Sequence, residues 1–390
     1  MKSVFIASAV SLLLSGMQPG AQVGANKVQV NQGAERRVEG PSTGSSDLQA
    51  EQELKKGTAL TRQGLFTDAI PHLLAAREKG SNSYAASFNL AICYVGTGEY
   101  KKAILVLTAL KRSGQDEANV ENLLAQAYIG NGQEREALAA FKSAVATTPQ
   151  DDKLYLFVAD ACMQQGDFAF GLRVIEIGLG NLPQSAVLHY QRAMFLSQMD
   201  QFDRAKGDFA SANQLAPGSL IGYMAIAHEA LLEGNISDAI RFAREGVGKY
   251  PEDPILLTIL GQALVRSGVT PGQPEFSEAQ SALERSVAER PNDPASQIAL
   301  GQIDLMAGNL EDAIVHLQKA RQMRPDQPSV YASLAKAYQR HGDAQQAQEA
   351  LATLEKLNEV QAEKIRSAPG DTKLSYGGGE IKQQDSSPHP

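Results

Sequence analysis

His228 and Glu229 come nearest to a reactive motif, because they open a sequence like that of a zinc-protease helix. That motif needs a second histidine four residues after the first, so that two imidazoles on one helical face hold the metal. Leu232 occupies that position. The sequence therefore predicts no zinc site. It also contains neither a Gly-rich phosphate loop ending in Lys-Ser or Lys-Thr nor a Gly-x-Ser-x-Gly nucleophile elbow.

The chain has two cysteines, Cys93 and Cys162. A disulfide requires Cα atoms within about 7 Å, and the repeat phase described below places these residues on first helices two units apart. We therefore expect two free, buried thiols and no cofactor. Asn235-Ile236-Ser237 matches a glycosylation sequon, but it falls at a predicted hairpin turn, where Ser237 is expected to cap a helix.

Composition limits the partners. The net charge is −8, which disfavours nucleic acid because phosphate binding needs a basic face. Aromatic residues make up only 6% of the chain and tryptophan is absent, which argues against an aromatic-lined sugar or nucleobase site.

The N-terminus is typical of a signal peptide. Lys2 precedes an apolar run over residues 4–14, and Val23-Gly24-Ala25 is an acceptable cleavage site. The run is too short to span a bilayer, which takes about 20 residues. We predict a signal peptide over residues 1–25, export to the periplasm or outside if the source is bacterial, and no stable membrane insertion after cleavage. The alternatives are an uncleaved N-terminal helix and an apolar start that arises by chance.

Two segments outside the main pattern are predicted to be flexible. Residues 26–49 are polar and are interpreted as a linker. Residues 362–390 are interpreted as the end of a capping helix followed by a disordered tail.

Between these ends the sequence repeats every 34 residues. Nine units are predicted to start near residues 50, 84, 118, 152, 186, 220, 254, 294 and 328. A small residue recurs in each first helix: Gly57, Ala91, Ala125, Ala159, Ala193, Ala227, Gly261, Gly301 and Ala335. A second small residue recurs in each second helix: Ala69, Ala103, Ala137, Gly171, Ala205, Ala239, Ala279, Ala313 and Ala347. An insertion of six residues around Thr270 lengthens only unit seven.

The pattern has a physical reason, because two helices cross closely only where small side chains meet. A residue seven positions after the first small one is expected to make the turn, and it is glycine in every unit except at Asp200. Prolines keep the same phase near most unit ends and stop the second helix. Thr67, Ser237 and Ser277 are predicted to cap second helices.

These residues resemble the tetratricopeptide repeat (TPR) family. The family pattern is met well in the third unit by Ala125, Tyr128, Ala137, Phe141, Ala144 and Pro149. The resemblance covers residues 50–361 and implies an all-α, right-handed α-solenoid of about nine hairpins, whose first helices line a concave groove. Some family members hold a C-terminal carboxylate with a Lys–Asn pair. That pair is missing here, so we expect no such clamp.

The resemblance implies partner-binding residues at exposed first-helix positions. An apolar middle patch is predicted from Tyr190, Met194, Met224, His228 and Leu231. A basic, amide-rich end is predicted from Gln262, Arg266, Gln302, Lys336 and Arg340. The alternative is that some of the apolar residues belong to the core and that the charges are merely solvated.

We therefore expect a non-enzymatic scaffold that binds a protein or extended peptide in its groove, in envelope assembly or secretion. The first alternative is an accessory subunit of a polysaccharide- or ligand-handling complex. The second is an enzyme with an unrecognised site.

Overall fold

The computed structural model describes residues 43–78, 83–114 and 117–367, which form 18 α-helices and no strand. The helices are α1 Thr43–Arg62, α2 Phe66–Glu78, α3 Ser83–Gly96, α4 Tyr100–Ser113, α5 Glu117–Gly130, α6 Glu134–Thr147, α7 Asp152–Gln165, α8 Phe168–Asn181, α9 Ala186–Gln198, α10 Phe202–Leu215, α11 Leu220–Glu233, α12 Ile236–Lys249, α13 Pro254–Arg266, α14 Pro274–Glu289, α15 Pro294–Ala307, α16 Leu310–Met323, α17 Pro328–His341 and α18 Ala344–Ser367.

Consecutive helices pair into nine hairpins, which we number as units one to nine, from α1–α2 to α17–α18. Each odd-numbered helix, the first of its unit, packs on its own second helix, and in units one to eight it also packs on the first helix of the next unit. The first helices therefore form one continuous layer, which we call the first-helix wall. The prediction of an all-α solenoid is confirmed.

The first helices of units two to nine start close to their predicted positions, whereas unit one starts earlier than predicted. Helix α1 starts at Thr43, so the predicted flexible linker is wrong for residues 43–49, which are helical. The other first helices start within one residue of the predicted unit starts. The signal peptide, the rest of the linker and the predicted tail from residue 368 lie outside the described residues.

Close helix crossings explain the small residues. A Cβ atom on Gly261 would lie 2.4 Å from Cγ of Leu283, and one on Gly301 would lie 2.7 Å from Cγ of Leu317. Real Cβ contacts are not this short, so these leucines occupy the space that the glycines leave. The small residue of the first helix thus lets a large residue of the second helix fill the crossing.

The turns within units follow the predicted phase, but the three predicted caps are wrong. All nine turn residues have positive φ, including Asp200 at 58°. Helix α12 begins at Ile236, and Asn235 rather than Ser237 caps it by accepting a hydrogen bond from the backbone N–H of Asp238. Helix α14 begins at Pro274, so Ser277 lies within the helix. Thr67 likewise lies within α2, which begins at Phe66.

The N-terminal end of the stack is polar. Gln52 and Lys56 are exposed on α1. In unit three the equivalent residues are Val120 and Leu124, and both are buried. Because no repeat packs against this face of α1 within the described chain, polar residues keep it soluble.

The C-terminal end is polarised in the same way. Gln348 and Glu355 are exposed on the open side of α18. Leu351 is 43% exposed, although its equivalents in the other eight units are at most 1% exposed. Those equivalents are Leu73, Leu107, Phe141, Ile175, Phe209, Ala243, Leu283 and Leu317. In units one to eight, the following repeat covers the side chain at this position.

Cys93 and Cys162 are free and buried, as predicted. The sulfur of Cys93 lies 3.2 Å from the hydroxyl of Thr61. Burial raises the pKa of the Cys93 thiol to about 11, although the Thr61 contact opposes this. Both thiols are structural core groups, and burial keeps Cys93 in its unreactive protonated form.

None of the described helices combines the length and the apolar character that crossing a bilayer requires.

Candidate functional site

The middle of the first-helix wall is not the exposed apolar patch that the sequence predicted. Tyr190, Met224 and Leu231 are only 6%, 2% and 6% exposed. The prediction of accessible apolar surface is therefore wrong for these three residues. Met194 and His228 are half-buried.

His228 lies in an aromatic cluster between units five and six. Its ring centroid is 5.5 Å from that of Phe209, with the rings stacked, and the Tyr190 hydroxyl lies 3.2 Å from Nδ1. Burial lowers the pKa of His228 from 6.5 to about 4, although a hydrogen bond to the Met224 backbone acts in the opposite direction. The ring is therefore neutral at pH 7, and its role there is packing and hydrogen bonding rather than charge.

Asp160 provides a carboxyl group on the wall in unit four. Burial raises its pKa to about 6, and the positive charge of Arg290 partly offsets this effect. Gln191 donates a hydrogen bond of 3.5 Å to Asp160 Oδ1. Arg290 lies in the turn between α14 and α15 and forms an ion pair of 3.8 Å with Asp293 of that turn, so it acts on Asp160 only through its charge.

Arg324 makes the most direct contact of this kind. It lies in the turn between α16 and α17, and its Nη1 donates a 2.9 Å hydrogen bond to Gln198 Oε1 at the end of α9. Its guanidinium carbon lies 5.4 Å from the ring centroid of Phe168, the first residue of α8. Asp326 accepts a further hydrogen bond from Nε at 3.2 Å.

These contacts show that the turn between units eight and nine touches units four and five. Sequence reasoning missed Phe168, Gln198, Arg290 and Arg324. One signal was present, because Arg290 and Arg324 each directly precede the boundary proline of their unit and no other boundary proline follows an arginine.

The C-terminal part of the wall is more accessible. Arg266 and Lys336 are exposed, and neither forms an ion pair within the described ranges. Gln262 and Gln302 are half-buried, and Gln302 donates a 3.3 Å hydrogen bond to Ser333 Oγ. Arg340 donates to the Leu305 carbonyl near the end of α15, so part of its guanidinium is already used within the fold.

No group of three or more histidine, cysteine, aspartate or glutamate side chains in residues 43–78, 83–114 and 117–367 is placed to hold a metal ion.

Comparison with family models identifies the repeat. One tetratricopeptide repeat model matches residues 60–127 and 304–363, and a second matches residues 122–172 and 273–328. Together they cover more than half of the chain. The chain belongs to the tetratricopeptide repeat family. The TPR assignment agrees with the small residues, turns and boundary prolines described above.

Several solved TPR-like structures are similar to this chain. The APC/C hetero-tetramer Cut9–Hcn1 matches at 15% identity and a TM-score of 0.45, over 73% of this chain and 55% of that one. The match thus spans about half the length of that chain. A tetratricopeptide repeat protein from Parabacteroides merdae matches at 19% identity and 0.46, over 66% of this chain and 99% of that one.

Yeast Tom70 matches at 16% identity and a TM-score of 0.34, over 83% of this chain and 98% of that one. With TM-scores below 0.5, these likenesses carry no statement about function. A search of curated proteins found no significant match.

Proposed function

We propose that this TPR protein is a non-enzymatic scaffold that binds a partner protein or an extended peptide on the first-helix wall of units seven to nine. TPR arrays generally act as interaction scaffolds rather than catalysts. One observation carries the choice of surface. Gln262, Gln302 and Lys336 occupy the same phase in three successive units, and all three are at least partly accessible.

This spacing suits an extended chain. Packed helices lie about 8–10 Å apart, and an extended peptide advances about 3.3 Å per residue. One hydrogen-bonding side chain per helix layer therefore meets about every third residue of a bound peptide. Amide side chains both donate and accept, so they pair with peptide backbone groups regardless of sequence.

Arg266 and Lys336 add positive charge to this part of the wall. A partner segment that carries a carboxylate beside its backbone contacts would gain a charge-assisted hydrogen bond there. The expected partner therefore offers peptide backbone groups together with acidic side chains.

Site-specific photo-cross-linking in the native source tests the surface. A photoreactive residue replaces Arg266 or Lys336 on the wall, and Lys142 or Arg173 serves as the control on second helices. All four are exposed, so none is needed for the core. We expect a shared partner band from the two wall positions and none from the controls. The same band from the controls alone, or no band from either wall position, would refute the assignment.

A matched pair of variants tests the amide contacts. Gln262→Ala removes a side chain for which no internal hydrogen bond is described, whereas Gln302→Ala also breaks the bond to Ser333. We expect each change to weaken binding of the captured partner about 3- to 10-fold, in line with the loss of one hydrogen bond. Unchanged affinity for both variants would exclude the amide positions.

We further propose that the protein works outside the cytoplasm, in envelope assembly or secretion, if its source is bacterial. The support is the residue pattern of the N-terminal 25 residues. N-terminal sequencing of the protein from its native source should give a chain beginning near Asn26. A chain retaining Lys2 in a cytoplasmic fraction would contradict this proposal.

A further inference from the structure

The Arg324 contact does not belong to the packing that builds the stack. Gln198 and Arg324 are separated by 126 residues, and they join unit five to the boundary between units eight and nine. Helix packing in this fold joins neighbouring units. Removal of the contact therefore leaves the helix stack intact.

The surface under Arg324 has the chemistry that recognises a guanidinium group. Phe168 presents an aromatic ring to its cation, and Gln198 presents a carbonyl oxygen to its N–H groups. Arginine stacks on aromatic rings and donates in a planar fork, whereas lysine offers a compact point charge. The surface is thus better suited to arginine than to lysine.

A second arginine acts on unit four only through its charge. Arg290 pairs with Asp293 of its own turn at 3.8 Å, and its charge partly offsets the raised pKa of Asp160. The chain as a whole carries a net charge of −8, so a cationic segment approaches it favourably.

We propose that Phe168 and Gln198 form a binding surface for an arginine side chain of a partner segment, and that Arg324 occupies this surface in the free chain. Arg324 acts as a competitor in cis. An extended partner segment rich in arginine displaces it. This surface is separate from the wall of units seven to nine, so either proposal can fail without the other.

The internal contact is weak enough to be displaced. It consists of one cation–aromatic contact and one charge-assisted hydrogen bond on a partly exposed side chain. A tethered competitor acts at an effective concentration in the millimolar range. Its removal therefore raises the apparent affinity for an arginine peptide, because the surface no longer has to be vacated first.

The test is fluorescence anisotropy with a labelled peptide of four Gly-Arg repeats and with its Gly-Lys counterpart, at about 0.15 M salt. Arg324→Ala is compared with Arg173→Ala. Arg173 makes a similar contact with Phe170, at 5.3 Å, but within its own helix, so the control removes the same charge and a comparable ring contact. We expect Arg324→Ala to bind the Gly-Arg peptide about 10-fold more tightly than wild type, and Arg173→Ala to bind like wild type.

A second pair of variants locates the binding. Gln198→Ala and Phe168→Leu, each combined with Arg324→Ala, should reverse the gain, and the Gly-Lys peptide should bind about 5-fold more weakly than the Gly-Arg peptide. Gln198 lies at the half-buried end of α9, so this variant keeps its fold even if the Phe168 variant does not.

Equal affinities of the Arg324→Ala and Arg173→Ala variants would overturn the proposal, since the Arg324 contact would then be a structural clasp. Equal binding of the arginine and lysine peptides would also overturn it, because that result indicates only attraction to a net negative chain.

Discussion

Replacement of His228 by glutamine should change the free energy of unfolding differently at two pH values. The stability of the variant relative to wild type should be higher at pH 5 than at pH 7.5. His228 is packed against Phe209 and lies within hydrogen-bonding distance of the Tyr190 hydroxyl. Burial lowers its pKa to about 4, whereas an unfolded histidine has a pKa near 6.5. As the pH falls below 6.5, the unfolded chain takes up a proton at this position and the folded chain does not, so stability is lost.

The size of the effect follows from the two pKa values. At pH 5 the unfolded histidine is almost fully protonated and the folded one is about one-tenth protonated. This difference destabilises the wild type by about 2 kcal/mol relative to pH 7.5. Glutamine does not titrate, so the variant escapes this loss. The loss of ring packing lowers the stability of the variant by the same amount at both pH values and cancels in the comparison.

Two carboxyl groups act in the opposite direction and mask the effect in wild type. Burial raises the pKa of Asp160 and of Asp304 to about 6, and the lowering effect of Arg290 on Asp160 is smaller. Their stabilising contribution is full below the unfolded value of about 3.8 and is lost as the pH rises through 6. Each stabilises the fold by about 1.5 kcal/mol at pH 5 relative to pH 7.5. The pH dependence of wild-type stability therefore does not show the contribution of His228. Only the comparison with the variant isolates it.

Urea unfolding followed by circular dichroism at both pH values gives the four required free energies. The difference between the His228→Gln variant and wild type should shift by about 2 kcal/mol in favour of the variant on going to pH 5. The NMR resonance of the His228 imidazole is identified by its absence from the variant. It should not titrate above pH 5. A shift of less than about 0.5 kcal/mol, or a resonance that titrates near 6.5, would refute the reasoning that the wall around His228 excludes water.

Further predictions concern the packing of the repeat. Gly261→Ala should cost about 1–3 kcal/mol because its Cβ would lie 2.4 Å from a leucine side chain, whereas Gly207→Ala, in open space on α10, should stabilise by about 0.5–1 kcal/mol; equal thermal midpoints would contradict this. Leu317→Ala should cost about 2–5 kcal/mol in urea unfolding and Leu351→Ala less than half as much, since Leu351 is 43% exposed; similar costs would mean that the end of the stack is sealed in solution. Asp200→Gly should raise the thermal midpoint by relieving about 0.5–1 kcal/mol of strain at φ 58°, and a lowered midpoint would show that the aspartate contributes a compensating interaction.

The repeat phase predicted most of the fold because it records packing between neighbouring helices. Asp200 was assigned to a turn from its phase alone, and the structure gives it a positive φ like the eight glycines. The repeat phase did not predict the exact residue at which each helix begins. Asn235 and Ser237 are both good capping residues two positions apart, and which one caps depends on where the chain leaves the turn.

The site could not be predicted to the same extent, because its exposure depends on contacts between distant units. Tyr190 and Met224 have the residue types of a peptide groove and also those of a core. Whether Arg324 reaches Phe168 depends on the small rotation between successive repeats, summed over four units. No local sequence pattern records that sum.

The polar ends of the stack fix its length. A second copy stacked on α1 would have to bury Gln52 and Lys56, and one stacked on α18 would have to bury Gln348. Copies of this nine-unit array are therefore not expected to stack end to end. Growth by gene duplication is compatible with this chain only when the copied unit is inserted between existing units, where both of its faces meet apolar neighbours. A tenth unit appended at either end would require replacement of the terminal polar residues first.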